Sequence, residues 1–213
     1  NSVNVVYNSL DYKRMNSVMD EHEKISCQSI KKPYIIFSGR IIKERKLEIL
    51  FEALYILQSN GVELKAVIIG DGPYLPFIKN LATKYSLVDS VDFVGSCYDE
   101  NIIYSYYKSA VACVFPGPVG LTAIHSLTYG IPIITNDNMM KHKPEVEAVK
   151  EGTTGFYFKD NNVHSLVDVL KHVLSINDND LRIIANNAKG IIKNKYNPIY
   201  QSGVFNRSLY KKT

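Results

Sequence analysis

The chain has 213 residues, enough for one well-packed domain and short for two. Its hydrophobic content of 46% and charged content of 22% are those of an ordinary globular protein, and no apolar run nears the roughly 20 residues that span a bilayer. A formal charge of +4 suits an anionic ligand or a membrane surface, but is too weak and dispersed for a nucleic-acid partner. Cys27, Cys97 and Cys113 cannot all pair and fall in no metal-ligand spacing, so the expectation is a reduced, cytoplasmic setting without a metal site.

Asn1 leads almost directly into a strand-like run, Val3 to Tyr7, which reads as the end of a preceding domain in a longer protein. Residues 8 to about 32 are polar, charged and without a clear period, the composition of an interdomain linker, so the boundary falls at 31/32. From residue 32 to 195, short β-branched runs alternate with helical stretches. Tyr34–Ser38 reads as a buried strand, and Leu47, Leu50, Phe51, Leu54 and Leu57 follow at helical spacing. Lys65–Ile69 is a second strand, ended by Gly70-Asp71-Gly72-Pro73, with a helix from Tyr74 to Tyr85 and Pro73 at its first turn. Val91–Val94 and Val111–Phe115 are further strands, separated by a tyrosine-rich helix, Asn101–Ser109. A Pro-Gly loop from Pro116 runs into an apolar helix that stops at Gly130, and a strand from Pro132 to Thr135 follows. Gly155–Phe158 reads as a short strand or hairpin, and Leu166, Val169, Leu170, Val173 and Leu174 mark an amphipathic helix. Two polar helices close the chain, Asp180–Lys195 and Pro198–Lys211.

This alternation predicts a doubly wound, Rossmann-like α/β domain, and such sheets bind ligands beyond the carboxyl ends of their strands. The informative loops therefore follow Phe37, Ile69, Val94 and Phe115, and all four carry glycine. The loop from Pro116 is the most telling, because loop amides and a helix N-terminus together favour an anion. No G-x-G-x-x-G dinucleotide fingerprint survives, since Pro73 and Tyr74 stand where the helix and third glycine belong. The five histidines make no metal constellation, and no nucleophile elbow supports a Ser-His-Asp triad.

The stretch Pro116–Asp137, PGPVGLTAIHSLTYGIPIITND, resembles the donor-binding element of retaining, GT4-like glycosyltransferases of the GT-B fold, E-G-F-G-L-V-x-L-E-A-M-A-x-G-x-P-V. Both glutamates of that pattern are replaced, by Gly117 and His125; the form with P-G-x-V-G-L-x-x-x-H resembles a minority version found among enzymes of surface-polysaccharide synthesis. Gly39-Arg40-Ile41-Ile42-Lys43-Glu44-Arg45-Lys46 resembles the family's G-R-L-x-x-x-K-G element, Gly70-Asp71-Gly72-Pro73 its G-x-G-P turn, and Phe93-Val94-Gly95 its F-x-G.

The resemblance implies the C-terminal half of a GT-B glycosyltransferase that binds a UDP- or GDP-sugar without a metal. Arg40 and Lys46 would stabilise the departing diphosphate, with Arg45 the alternative to Lys46 at the commoner spacing. Gly39 and Gly72 would let the backbone approach the ligand, and Val94 and Gly95 would receive the base. Amides around Gly120, Leu121 and Thr122 would meet the β-phosphate, beside Gly117, and His125 would hydrogen-bond the ribose. Structural alternatives stand beside these: a solvated basic turn at 40–46, a packed histidine at 125, and packing for Tyr104, Tyr106 and Tyr107 in place of an acceptor face. Glu145 and Gly155 read as helix start and turn. The implied partners are a nucleotide sugar and, through an N-terminal domain, a saccharide or lipid-linked acceptor at the inner face of the membrane, with residues 196–213 crossing back to that domain. The isolated chain is expected to bind nucleotide and transfer nothing. A non-catalytic sugar-nucleotide module and a GT-B sugar-nucleotide epimerase are the competing functions.

Overall fold

The structure is a computed structural model that describes residues 5–23 and 34–210. A six-stranded, fully parallel sheet forms its centre: β1 (Tyr34–Ser38), β2 (Lys65–Ile69), β3 (Val91–Gly95), β4 (Ala112–Phe115), β5 (Ile133–Asn136) and β6 (Gly155–Phe158), in the order β3-β2-β1-β4-β5-β6. Every residue of β4 and β5 is buried, as expected of strands covered on both faces. The helices are α1 (Tyr12–Glu23), α2 (Leu47–Ser59), α3 (Leu75–Lys84), α4 (Glu100–Tyr107), α5 (Leu121–Thr128), α6 (Val163–Ser175), α7 (Asp178–Lys195) and α8 (Pro198–Tyr210). Among them α2 packs on α3 and α6, α5 on α7, and α1 on α4. Among the described residues none is long and apolar enough to cross a membrane.

Local chemistry sets the element ends. Asp99, Asn162 and Asn177 cap α4, α6 and α7 by accepting from the amides of Asn101, Ser165 and Asp180 at 2.9–3.0 Å. Gly130, at φ +78°, terminates α5 in a left-handed conformation before Pro132. The strands, the α/β alternation and most helices lie where the sequence puts them. Three differences stand out. The strand-like opening is not in the sheet: residues 5–7 are irregular, while residues 1–4 lie outside the described residues. The supposed linker contains α1, whose Met15, Val18 and Met19 at i, i+3 and i+4 are buried. That stripe is only three residues wide among charged neighbours, too narrow to register as a period. The rest of the linker reading, from residue 24, lies outside the described residues. Finally, α3 starts at Leu75 with Pro76 in its first turn, so Pro73 is left in the preceding turn.

The strand order reverses between β1 and β4, and the carboxyl ends of those strands therefore diverge into a crevice. Next to it the first three loops are bonded edge to edge: Gly39 N–H donates to Ile69 O at 2.9 Å, Ile41 N–H to Asp71 O at 2.9 Å, and Gly70 N–H to Gly95 O at 2.8 Å. A Cβ on Gly70, at φ +141°, would lie 1.9 Å from Gly39 O. Gly70→Ala is therefore expected to destabilise the domain by about 2–3 kcal/mol. Gly190→Ala, inside α7 with nothing within 4 Å of its added Cβ, is expected to stabilise it by about 0.5–1 kcal/mol. Chemical denaturation of the two variants should show these opposite signs.

Candidate functional site

Two neighbouring cavities lie at the carboxyl ends of the strands. One, of about 680 Å³, is lined by Ser38, Gly39, Arg40, the Gly70–Gly72 turn and Ser96–Tyr98. The other, of about 430 Å³, shares Ser38, Gly39 and Cys97 with it and adds Arg14, Glu100, Leu121, Thr122 and His125. Arg40 and the start of α5 thus open onto one continuous cleft at the switch point.

The loop from Pro116 to Gly120 is fixed from both sides. On one side Gly117 N–H donates to Arg45 O at 2.9 Å, and the Arg45 guanidinium donates to Pro118 O while lying 5.0 Å over the Phe115 ring. On the other, Asn136 Nδ2 donates to Pro116 O at 2.9 Å, Val119 N–H donates to His142 Nδ1 at 3.0 Å, and Lys143 N–H donates to Val119 O at 3.0 Å. Those bonds consume the amides of Gly117 and Val119. The amides of Gly120, Leu121 and Thr122, at the start of α5, have no protein partner among the described residues. Three unpaired N–H groups at a helix N-terminus are suited to an anion.

The sequence-derived residues fall into three groups. Gly39, Arg40, Gly72, Leu121, Thr122 and His125 line the cleft. Val94 and Gly95 close edge strand β3, immediately before the lining residues Ser96–Tyr98. Gly117 and Gly120 lie in the pinned loop, and Gly117 has a structural requirement: its Cβ would stand 2.1 Å from Glu44 O. No side chain fits there without moving the backbone.

The two candidate partners of Arg40 do not line the cleft. Arg45 is engaged on the loop, and burial lowers its pKa against the raising influence of Glu44. Lys46, expected as a second diphosphate-binding cation, is paired away from the cleft. Its backbone is left-handed, φ 51°, and its Nζ lies 2.7 Å from both Asp160 Oδ1 and Asn161 Oδ1. Burial raises the Asp160 carboxyl, but hydrogen bonds from Lys141, Lys46 and Asn138 outweigh it and hold the group below its usual range. Tyr104 and Tyr107 are buried and follow the packing alternative. Glu145 is buried, and its Oε1 accepts from Asn8 Nδ2 at 2.9 Å.

Sequence reasoning passed over three residues. Arg14 reaches the cleft from α1, Glu100 from the first turn of α4, and His142 supports the loop through the distance of 3.0 Å above. Asp99-Glu100 carried a signal, but one of helix capping. No sequence pattern marked His142. Among the described residues, no three His, Cys, Asp or Glu side chains converge as a metal-binding group.

His142 Nε2–H donates to Asn136 O at 2.9 Å, so Nδ1 accepts from Val119 only while the ring is neutral. Burial lowers its pKa, outweighing the Asn136 carbonyl and Asp160, which raise it; Lys46 lowers it further. A lowered histidine pKa means that both states are neutral above the unfolded value near 6.5, and that the unfolded chain takes the proton first below it. Stability held above that pH is therefore lost as the pH falls. In thermal melts between pH 7.5 and 5.5, wild type should lose stability more steeply than His142→Asn, which keeps an acceptor without titrating. Equal slopes would exclude His142 as the titrating support.

The model of the family described as Glycosyl transferases group 1 matches residues 19–190. A glycogen synthase from Thermodesulfovibrio yellowstonii is 24% identical over 160 residues, covering 73% of this chain and 31% of that protein. The chain thus spans about a third of the length of that relative. Anabaena Alr3699/HepE in complex with UDP superposes with a TM-score of 0.76 at 16% identity, over 98% of this chain and 57% of that one. The C-terminal domain of the group 1 glycosyl transferase LpcC from Francisella tularensis superposes with a TM-score of 0.66 at 22% identity, over 92% of this chain and all of that one.

Proposed function

Because the chain belongs to the glycosyl transferases group 1 family, we propose that it is the donor-binding half of a glycosyltransferase, holding a nucleotide diphosphate sugar in the switch-point cleft. Its fold is that of the C-terminal half of GT-B proteins. The observation that carries the reading is the run of three unpaired amides, Gly120 to Thr122, of which Leu121 and Thr122 line the cleft beside Arg40.

In this reading the β-phosphate sits on those amides, and the Arg40 guanidinium neutralises the diphosphate as it gains charge on departure. Fixed dipoles and a cation aimed at that charge lower the barrier without reorganising during the reaction. Arg45 acts one step back, holding Pro118 and, through its own carbonyl, the Gly117 amide. The base would lie towards Ser96–Tyr98 and the ribose towards His125. The positive charge comes from protein groups, so binding would not depend on a divalent cation. The acceptor would enter from a second domain, and closure of the two domains would complete the site. A binder without turnover is the second reading, favoured by the absence of any side chain at Gly117.

A thermal-unfolding panel with UDP, GDP and ADP tests the site. A nucleotide at a hundred times its Kd should add about 2.7 kcal/mol, unchanged by EDTA, and Arg40→Ala should weaken binding by about tenfold. Stabilisation by none of the three nucleotides would remove the reading. Release of nucleotide diphosphate by the protein joined to its acceptor domain, with none from residues 1–213 alone, separates transferase from binder.

A further inference from the structure

The mouth of the cleft between α4 and α5 holds a carboxylate–imidazole pair that the loop chemistry leaves unexplained. His125 Nε2 lies 2.5 Å from Glu100 Oε1, and the Tyr129 hydroxyl donates to the same oxygen. The pair is enclosed by rings: the centroids of Tyr107 and Tyr129 lie 5.4 Å and 5.2 Å from that of His125. Glu100 and His125 both line the 430 Å³ cavity, together with Arg14, Thr122 and Leu121.

Hydrogen bonds from His125 first, then from Tyr129, hold the Glu100 carboxyl below its usual range despite its burial, and the charge of Arg14 acts in the same direction. An ionised carboxylate has no proton to give, so both of its partners must donate. The Nε2 of His125 therefore carries a proton. In the neutral ring this leaves Nδ1 as a bare lone pair, and Nδ1 has no protein partner among the described residues.

We propose that Glu100 is a positioning residue that fixes the Nε2–H form of His125, so that Nδ1 accepts a hydrogen bond from a ribose hydroxyl of the bound nucleotide. The inference rests on the nucleotide reading above and adds to it the chemistry of one contact. A carboxylate on α4 thereby sets the polarity of an acceptor on α5. The aromatic enclosure holds the ring plane, so the tautomer and the ring position have separate causes.

Two measurements test it. In ¹⁵N-labelled chain without ligand, His125 should show a proton on Nε2 that exchanges slowly and resonates downfield, and Glu100→Ala should abolish that protected signal. A proton found on Nδ1 of neutral His125 would overturn the assignment. Next, Kd is compared for UDP, GDP and ADP against their 2′-deoxy and 3′-deoxy forms. Wild type should bind one of the deoxy forms about tenfold more weakly, and Glu100→Ala should reduce that ratio to about twofold while binding that deoxynucleotide as wild type does. Equal weakening of both nucleotides would show a merely structural role and overturn the proposal. Glu100→Gln, which retains shape and one acceptor, provides the same comparison if Glu100→Ala does not fold, with an intermediate ratio expected. Failure of every nucleotide to bind would refute the nucleotide reading and the ribose contact together, while the ligand-free spectrum would still decide the tautomer.

Discussion

The two-sided clamp on residues 116–120 is the constraint from which the cleft follows. This loop leaves a fully buried strand, and its first backbone groups cannot reach water, so each needs a partner in the protein. The segment Asn136–Lys143 supplies bonds on one side and the Lys43–Lys46 turn supplies them on the other. Thr135 extends the same seam, its hydroxyl donating to Phe115 O at 2.8 Å. Once those demands are met, the unpaired donors that remain are the three at the start of α5. The proposed anion site is thus what the backbone accounting leaves over, placed beside Arg40 because β1 and β4 are neighbours.

The clamp also limits which side chains the loop can carry. Gly117 passes so close to Glu44 and Arg45 that its lack of a Cβ is a condition of the loop's position. Function that a side chain at that position could otherwise provide has to come from elsewhere around the cleft. The neighbouring wall offers it. There α1 contributes Arg14, α4 contributes Glu100 and α5 contributes His125, so charged groups converge from three helices. Burial of α1 against α4 through Met15, Val18 and Met19 sets that wall, and His22 meets Tyr104 edge-on at 5.2 Å. A segment that reads as a connector by composition therefore has a share in the cleft.

The sheet was legible because its signals are redundant. Runs such as Ala66-Val67-Ile68-Ile69 are strand-like by residue type, and this one is followed by Gly70, where backbones must approach. The cleft-lining glycines, Arg40 and the start of α5 were legible for the same reason. Side-chain direction was not. Lys46 is spaced as a phosphate-binding lysine would be, yet the left-handed backbone there and the Asp160 carboxylate take its charge to the β6–α6 connection. Spacing records how far along the chain a charge lies, while the sign of φ decides where it goes, and lysine does not announce a positive φ.

His142 and Glu100 illustrate a different limit. Each acts through a contact that is long in sequence, 23 residues from Val119 in one case and 25 from His125 in the other, and neither sits in a motif. Their placement depends on how α4 packs on α5 and on how the turn after β5 folds back over the loop. Local pattern cannot encode either event. The residues proposed to bind the ligand are drawn from loops with strict backbone needs, and those needs leave a mark in the sequence. Residues that orient them are chosen only by tertiary packing, and many side chains satisfy packing equally well. The site therefore divides into an inner layer readable from glycine and arginine positions and an outer layer that only coordinates reveal.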